Sequence, residues 1–193
     1  MKFEHSIKLP APILLESDDD IEAALRRCFV SEALAVDTET LGRKYGKLED
    51  QILYAGISPD EGARYFVPRA KLYRFKSLLE DEDIVKVLHN FKFDQHRFEN
   101  AGITLKGPIA DTWVMDWLYD EDTRENRHSL EKCCLDYFNI AMDSWKDIVG
   151  KDDPSSVVPG HPSWPRMLCY GTKDAWCTRE LYYHLKAELE KVY

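Results

Sequence analysis

No apolar run in the sequence approaches the roughly 20 residues that a membrane-spanning helix requires, so no membrane partner is expected. The opening stretch MKFEHSIKLPAPILL lacks an extended apolar core and a small-residue cleavage site. That argues against a secretory leader and for a cytoplasmic protein. There is no internal repeat, low-complexity tract or heptad pattern, which excludes solenoids and coiled coils. Cysteine is sparse: the five include the adjacent Cys133 and Cys134, and no two stand in a C-x-x-C spacing. They read as reduced thiols, not as a disulfide or zinc framework. Basic residues are also short, 26 Lys and Arg against 35 Asp and Glu, for a net charge of −9. This excludes a broad basic face gripping nucleic acid and predicts weak, poorly processive contact with any polyanion. It does not exclude meeting phosphates through bound cations, because a cation site itself needs carboxylates.

What remains is a chain of 193 residues, 44% hydrophobic and 32% charged, which suits one globular domain over 1–193. ILL (13–15) is a short strand, and Ser17 caps the helix DDDIEAALRRCF, whose first turn is acidic. EALAVDTET is a core strand; QILYAGIS and ARYFVP form a hairpin around PDEG. KLYRFKSLLEDED is helical, and IVKVLHN (84–90) has the continuous apolar run of a buried parallel strand. FKFDQHRFENAG is a helix closed by Gly102, and GPIADTWVMDWLYD is a short strand leading into a helix. HSLEKCCLDYF is an amphipathic helix with Leu130, Cys133 or Cys134, Leu135 and Phe138 on its apolar side. A proline-rich loop (150–165) precedes a last helix from about Met167. Antiparallel strands followed by alternating helices and strands give an α/β fold, a mixed sheet with helices on both faces.

Three spacings carry chemistry. Asp37 and Glu39 stand two apart at the end of a strand, so both carboxylates point to one face. Asn90 and Asp94, and Tyr170 and Asp174, stand four apart in helical segments and so share a helix face. If those helices pack on the first core strand, Asp37, Glu39, Asp94 and Asp174 converge. Acids at that density repel one another unless cations compensate. Oxygen ligands without His or Cys select a hard cation, Mg²⁺ or Mn²⁺.

In this order VDTET, HNFKFD and YGTKDA resemble the Exo I, Exo II and Exo III motifs of the DEDDy 3′–5′ exonucleases. These belong to the DnaQ-like branch of the ribonuclease H-like superfamily, and the likeness is closest to the proofreading domain of bacterial DNA polymerase I. It runs from about residue 10 to 193. The resemblance implies a ribonuclease H-like sheet of five strands, an exonuclease domain without a polymerase domain, and a bacterial or phage-infected cell as its setting. It implies hydrolysis of DNA from the 3′ end with two divalent cations. Carried onto this chain, Asp37 would bridge both, Glu39 and Asp174 would hold the one bearing the attacking water, and Asp94 would hold the second. Tyr170 would orient the water, since a phenol titrating near 10 is a poor base. Asn90 would support the site by hydrogen bonding.

Thr38, Leu41, Asn90 and Phe93, with Arg43 and Lys44, are the expected substrate contacts, Leu41 as a wedge against terminal bases. Lys47 shares the loop of Arg43 and Lys44, for which phosphate contact and plain solvation stand level. His128 reads as a helix-start residue, and Trp113 and Trp117 read as core. The implied partners are single-stranded DNA or frayed 3′ ends, and a polymerase or other replication protein. Two alternatives stay open: an RNA exonuclease resembling ribonuclease D, and a catalytically idle module that binds nucleic acid or a polymerase.

Overall fold

The computed structural model describes residues 9–41, 51–121, 127–150 and 153–192. Among these residues the strands are β1 (Pro12–Leu14), β2 (Ala33–Thr40), β3 (Ile52–Pro59), β4 (Arg64–Pro68), β5 (Val85–Leu88) and β6 (Ile109–Asp111). The helices are α1 (Asp18–Cys28), α2 (Arg69–Leu72), α3 (Lys76–Leu79), α4 (Phe91–Asn100), α5 (Thr112–Tyr119), α6 (Leu130–Phe138), α7 (Trp145–Val149) and α8 (Trp164–Leu189). None of the described helices is long and apolar enough to cross a membrane.

The strands form one mixed sheet in the order β1-β4-β3-β2-β5-β6. β2, β3 and β4 are antiparallel, and β5 and β6 continue the sheet in parallel beyond β2. This is the expected arrangement with one strand more than the five expected. β1, the short strand read at 13–15, pairs parallel with β4 at the outer edge. The backbone N–H of Leu15 donates to Phe66 O, and the guanidinium of Arg64 donates to Pro10 O.

Alternation along β2 assigns its side chains to two layers. Leu34 and Val36 enter the larger core with Ile21 and Leu25 of α1, Ile57, Val67, Leu78 and Phe98 of α4. Ala33 and Ala35 face the other way, against Val87 and Tyr182 of α8. The small alanines let α8 lie close on that face. The helix starts at Trp164, earlier than the expected Met167, because Pro165 sits in its first turn, where a missing N–H breaks no hydrogen bond.

The two helices after β6 depart from their expected faces. α5 turns a polar stripe inward: Thr112 and Asp116 are both fully buried. Asp116 receives hydrogen bonds from Tyr137 Oη at 2.5 Å and Cys133 Sγ at 3.3 Å, and its carboxylate lies 2.6 Å from His128 Nδ1. Trp113 is therefore turned out and 42% exposed, not core, while Trp117 stacks on the His128 ring. On α6 the buried stripe is Leu130, Cys133 and Cys134, and Leu135, five residues on from Leu130, falls off it and is exposed.

Candidate active site

Asp37 and Glu39 extend the row of Ala33 and Ala35, so their carboxylates face α8. Across the ladder Asp37 pairs with Gly56 and Glu39 with Tyr54. Gly56 is where the helix touches the sheet: a Cβ there would lie 2.0 Å from the carbonyl oxygen of Gly171. A Cβ on Gly171 would in turn lie 2.5 Å from Phe66 Cε2 and 3.0 Å from Glu39 Oε1. Two facing glycines thus set the distance at which Tyr170 and Asp174, on either side of Gly171, meet the acids of β2. The sequence motifs did not single out either glycine. Gly171→Ala is expected to cost about 1–3 kcal/mol of stability through overpacking. By pushing α8 off the sheet it should also lower turnover by about 100-fold, as ångström misplacements do. Thermal melting and steady-state rates check both, and parental turnover would contradict this role.

Asp37, Glu39 and Asp174 each present an oxygen within 4.8 Å of the other two. Among the described residues, Glu39 Oε1 and Asp174 Oδ1 are buried without a hydrogen-bond partner. Burial pushes the Asp37 carboxyl up to about 7, although that side chain borders the cavity. Burial, then the charge of Asp37, holds Glu39 and Asp174 well above the usual carboxylate range. Burial and the charges of Asp174, Glu39 and Asp37 likewise push Tyr170 up, so its phenol stays protonated and can donate a hydrogen bond. Buried oxygens without donors, in a set free of nitrogen and sulfur, fit a hard divalent cation.

Asp94 lies outside this group of three but close enough for its charge to raise Glu39. It reaches the sheet from α4, which packs on the opposite face, and Thr38 Oγ1 donates to its Oδ1 at 2.5 Å. Asp94 still feels Asp37: burial and then that charge raise its pKa, against the Thr38 hydrogen bond and the nearby Arg97. Thr38 borders the cavity with its hydroxyl already committed to Asp94.

Asn90 also departs from expectation. It precedes α4 in the left-handed region (φ 67°), so it does not share a helix face with Asp94, and its side chain makes no capping hydrogen bond. Asparagine tolerates this backbone conformation better than most residues. Its N–H and that of Phe91 both donate to the Asp111 carboxylate, at 2.9 Å each. Arg43, Lys44 and Lys47 lie outside the described residues.

A cavity of about 330 Å³ opens over the acids, lined by Asp37, Thr38, Glu39, Thr40, Leu41, Phe93, Trp145, Tyr170 and Asp174. Leu41 and Phe93, expected as substrate contacts, border it. Trp145 was not expected. It leads α7, and its ring centroid lies 5.8 Å from that of Tyr170. The signal was present in S-W-K-D: Ser144 accepts from Asp147 N while its hydroxyl donates to the Asp147 carboxylate, a reciprocal helix cap.

A family model described as 3′–5′ exonuclease, of DNA polymerase A type, matches residues 12–190. DNA polymerase I of Treponema pallidum is 30% identical over 124 residues, covering 63% of this chain and 12% of the polymerase. The chain therefore spans only a small part of that relative's length. Among solved structures, Escherichia coli RNase D, an exoribonuclease involved in structured RNA processing, is similar in fold. Its TM-score is 0.75 at 19% identity, over 94% of this chain and 46% of that one. Brucella melitensis NrnC with bound Mg²⁺ gives a TM-score of 0.67 at 24% identity, over 84% of this chain and 76% of that one. The family match covers both the strand that bears the paired acids and the helix that closes on them, and this chain belongs to the 3′–5′ exonuclease family of A-type DNA polymerases.

Proposed function

We propose that this chain removes nucleotides from the 3′ end of DNA, using two divalent cations, Mg²⁺ or Mn²⁺. The observation that carries this reading is the trio Asp37, Glu39 and Asp174, with two unpartnered buried oxygens beside the Tyr170 phenol. These three would hold one cation, and Asp94 with Asp37 a second. When bound, such ions generate a hydroxide nucleophile and neutralise charge on the phosphate and on the departing oxygen. The protein's own groups do the positioning. Tyr170 keeps its proton and orients a water through its hydroxyl. Leu41, Phe93 and Trp145 give the terminal nucleotide an apolar and aromatic wall on which bases of any sequence can stack.

The relationship to DNA polymerase I supports DNA as the substrate, proofreading in replication or repair as the role, and a polymerase or other replication protein as partner. Single strands and frayed ends suit the low basic charge, since paired ends must first be melted. A cytoplasmic setting fits the same reading. The fold likeness to ribonuclease D favours a second reading, in which the strand is RNA.

The test is digestion of 5′-labelled single-stranded DNA, mismatched duplex DNA and RNA, with Mg²⁺ or Mn²⁺. The expected result is a descending ladder with release of nucleoside 5′-monophosphates, faster on the DNA strands. A faster ladder on RNA would favour the ribonuclease reading. Immediate release of the labelled end would contradict 3′ polarity, and no digestion with either metal would leave an idle binding module.

A further inference from the structure

A buried guanidinium outside the acid cluster ties α8 to the sheet. Arg64, 2% exposed, starts β4 and shares with Phe66 the face turned to α8. Its Nη2 donates to the Cys169 carbonyl oxygen at 2.6 Å and to Thr172 Oγ1 at 2.9 Å. Its Nη1 donates to Pro10 O at 2.9 Å, which braces the fork from the far side. The Thr172 hydroxyl donates in turn along the helix, to Leu168 O at 2.8 Å. These bonds bracket Tyr170, which stands between Cys169 and Gly171. The glycine contact lies further along α8. A Cβ on Gly56 would meet Gly171 O at 2.0 Å and Ala175 Cβ at 3.2 Å, so that contact seats the turn carrying Asp174. Close packing limits approach but is not directional, and it leaves the turn before Gly171 free to roll on the sheet. Hydrogen bonds are directional and remove that freedom. Burying a guanidinium for them is costly, and among the described residues its Nε is buried without a partner. Packing alone does not account for an arginine here.

We infer that Arg64 is a positioning residue for Tyr170: its fork fixes the roll of α8 at residues 169–172, and with it the aim of the phenol at the acids. The role rests on the functional reading above, in which the phenol orients the attacking water. Arg64 itself touches neither substrate nor cation and reaches the reaction only through α8. Two devices thus share the helix. The glycine contact sets where Asp174 stands, and Arg64 sets where Tyr170 points.

The experiment is a double-mutant cycle read on digestion of single-stranded DNA. Arg64→Met should lower kcat by about ten- to a hundredfold, with KM within about twofold of the parent. In a Tyr170→Phe background the same substitution should change kcat by no more than about twofold. Affinity for Mn²⁺, which reads the carboxylates and not the phenol, should stay within about threefold of the parent in Arg64→Met. If the methionine variant does not fold, Thr172→Val supplies the cycle, because it removes one acceptor of the fork with little change of shape. Its loss of kcat should be smaller and should also vanish without the Tyr170 hydroxyl, and Thr172→Ser, which restores the oxygen, should recover most of it. Equal losses of kcat in both backgrounds, a fall in Mn²⁺ affinity that matches the loss, a change in KM alone, or parental kcat in folded Arg64→Met would overturn the inference while leaving exonuclease activity standing. So would a Tyr170→Phe variant as fast as the parent. Failure of the parent to degrade the strand would overturn the functional reading and this inference with it.

Discussion

Asp37→Ala is expected to lower turnover by about a thousandfold or more, the several kcal/mol that metal-ion stabilisation contributes to such reactions. The protein should fold as well as the parent, or better. Asp37 lies at the centre of the acids: its charge acts on Glu39, Asp94, Asp174 and Tyr170. It is thus the group through which cations held by the β2–α8 acids and by Asp94 would be linked. Without a cation the same charge only repels its neighbours, so its removal relieves the folded state. Rates in Mg²⁺ and melting in a chelator measure the two effects. Turnover within tenfold of the parent would contradict the assignment, and a large fall in metal-free stability would show that Asp37 is structural.

The second large effect is a dependence of stability on pH that reverses with metal. Asp37 is raised to about 7 in the folded protein, and Glu39, Asp94 and Asp174 are raised with it, burial being the main cause in each. An unfolded carboxyl titrates near about 4. Between those values the folded state holds protons that the unfolded state has released, so its stability is greatest below about pH 4 and falls as pH rises through about 7. In chelator the melting temperature should therefore decline from pH 5 to pH 8. With millimolar Mg²⁺ or Mn²⁺ it should recover at the upper end, where protons no longer compete for the carboxylates. Asp37→Ala/Asp174→Ala should flatten both trends. An equal metal shift in parent and double variant would contradict a shared site.

The parts of the site carried by one element were legible in the sequence. Alternation on β2 puts Asp37 beside Glu39, and one turn of α8 joins Tyr170 to Asp174, with no knowledge of the rest of the chain. What could not be read depends on how distant elements meet. The Thr38 hydroxyl reaches Asp94 only because α4 packs on the face opposite α8. Gly56 and Gly171 are ordinary residues in the sequence, and their contact appears only when α8 is laid on β3. Asn90 was misread because a four-residue spacing was counted across a helix start, where the backbone is left-handed. Trp113 was misread because the periodic argument assumes an apolar inner stripe. On α5 that stripe is polar, held by Asp116 and its partners. The fold as a whole was more legible: each of the six strands falls on a segment read as a strand, and only the sheet partner of the short β1 could not be read.

The central claim is that these buried acids exist to be neutralised by cations. It is tested most directly by titrating the purified protein with Mn²⁺ at pH 8 and following free ion by electron paramagnetic resonance. A saturable site should appear in the parent, and the same titration near pH 6 should be weaker, because Asp37 then holds its proton. The Asp37→Ala/Asp174→Ala variant, folded by circular dichroism, should leave the ion free at both pH values. Saturable binding of equal strength in that variant would place the metal elsewhere and contradict the claim.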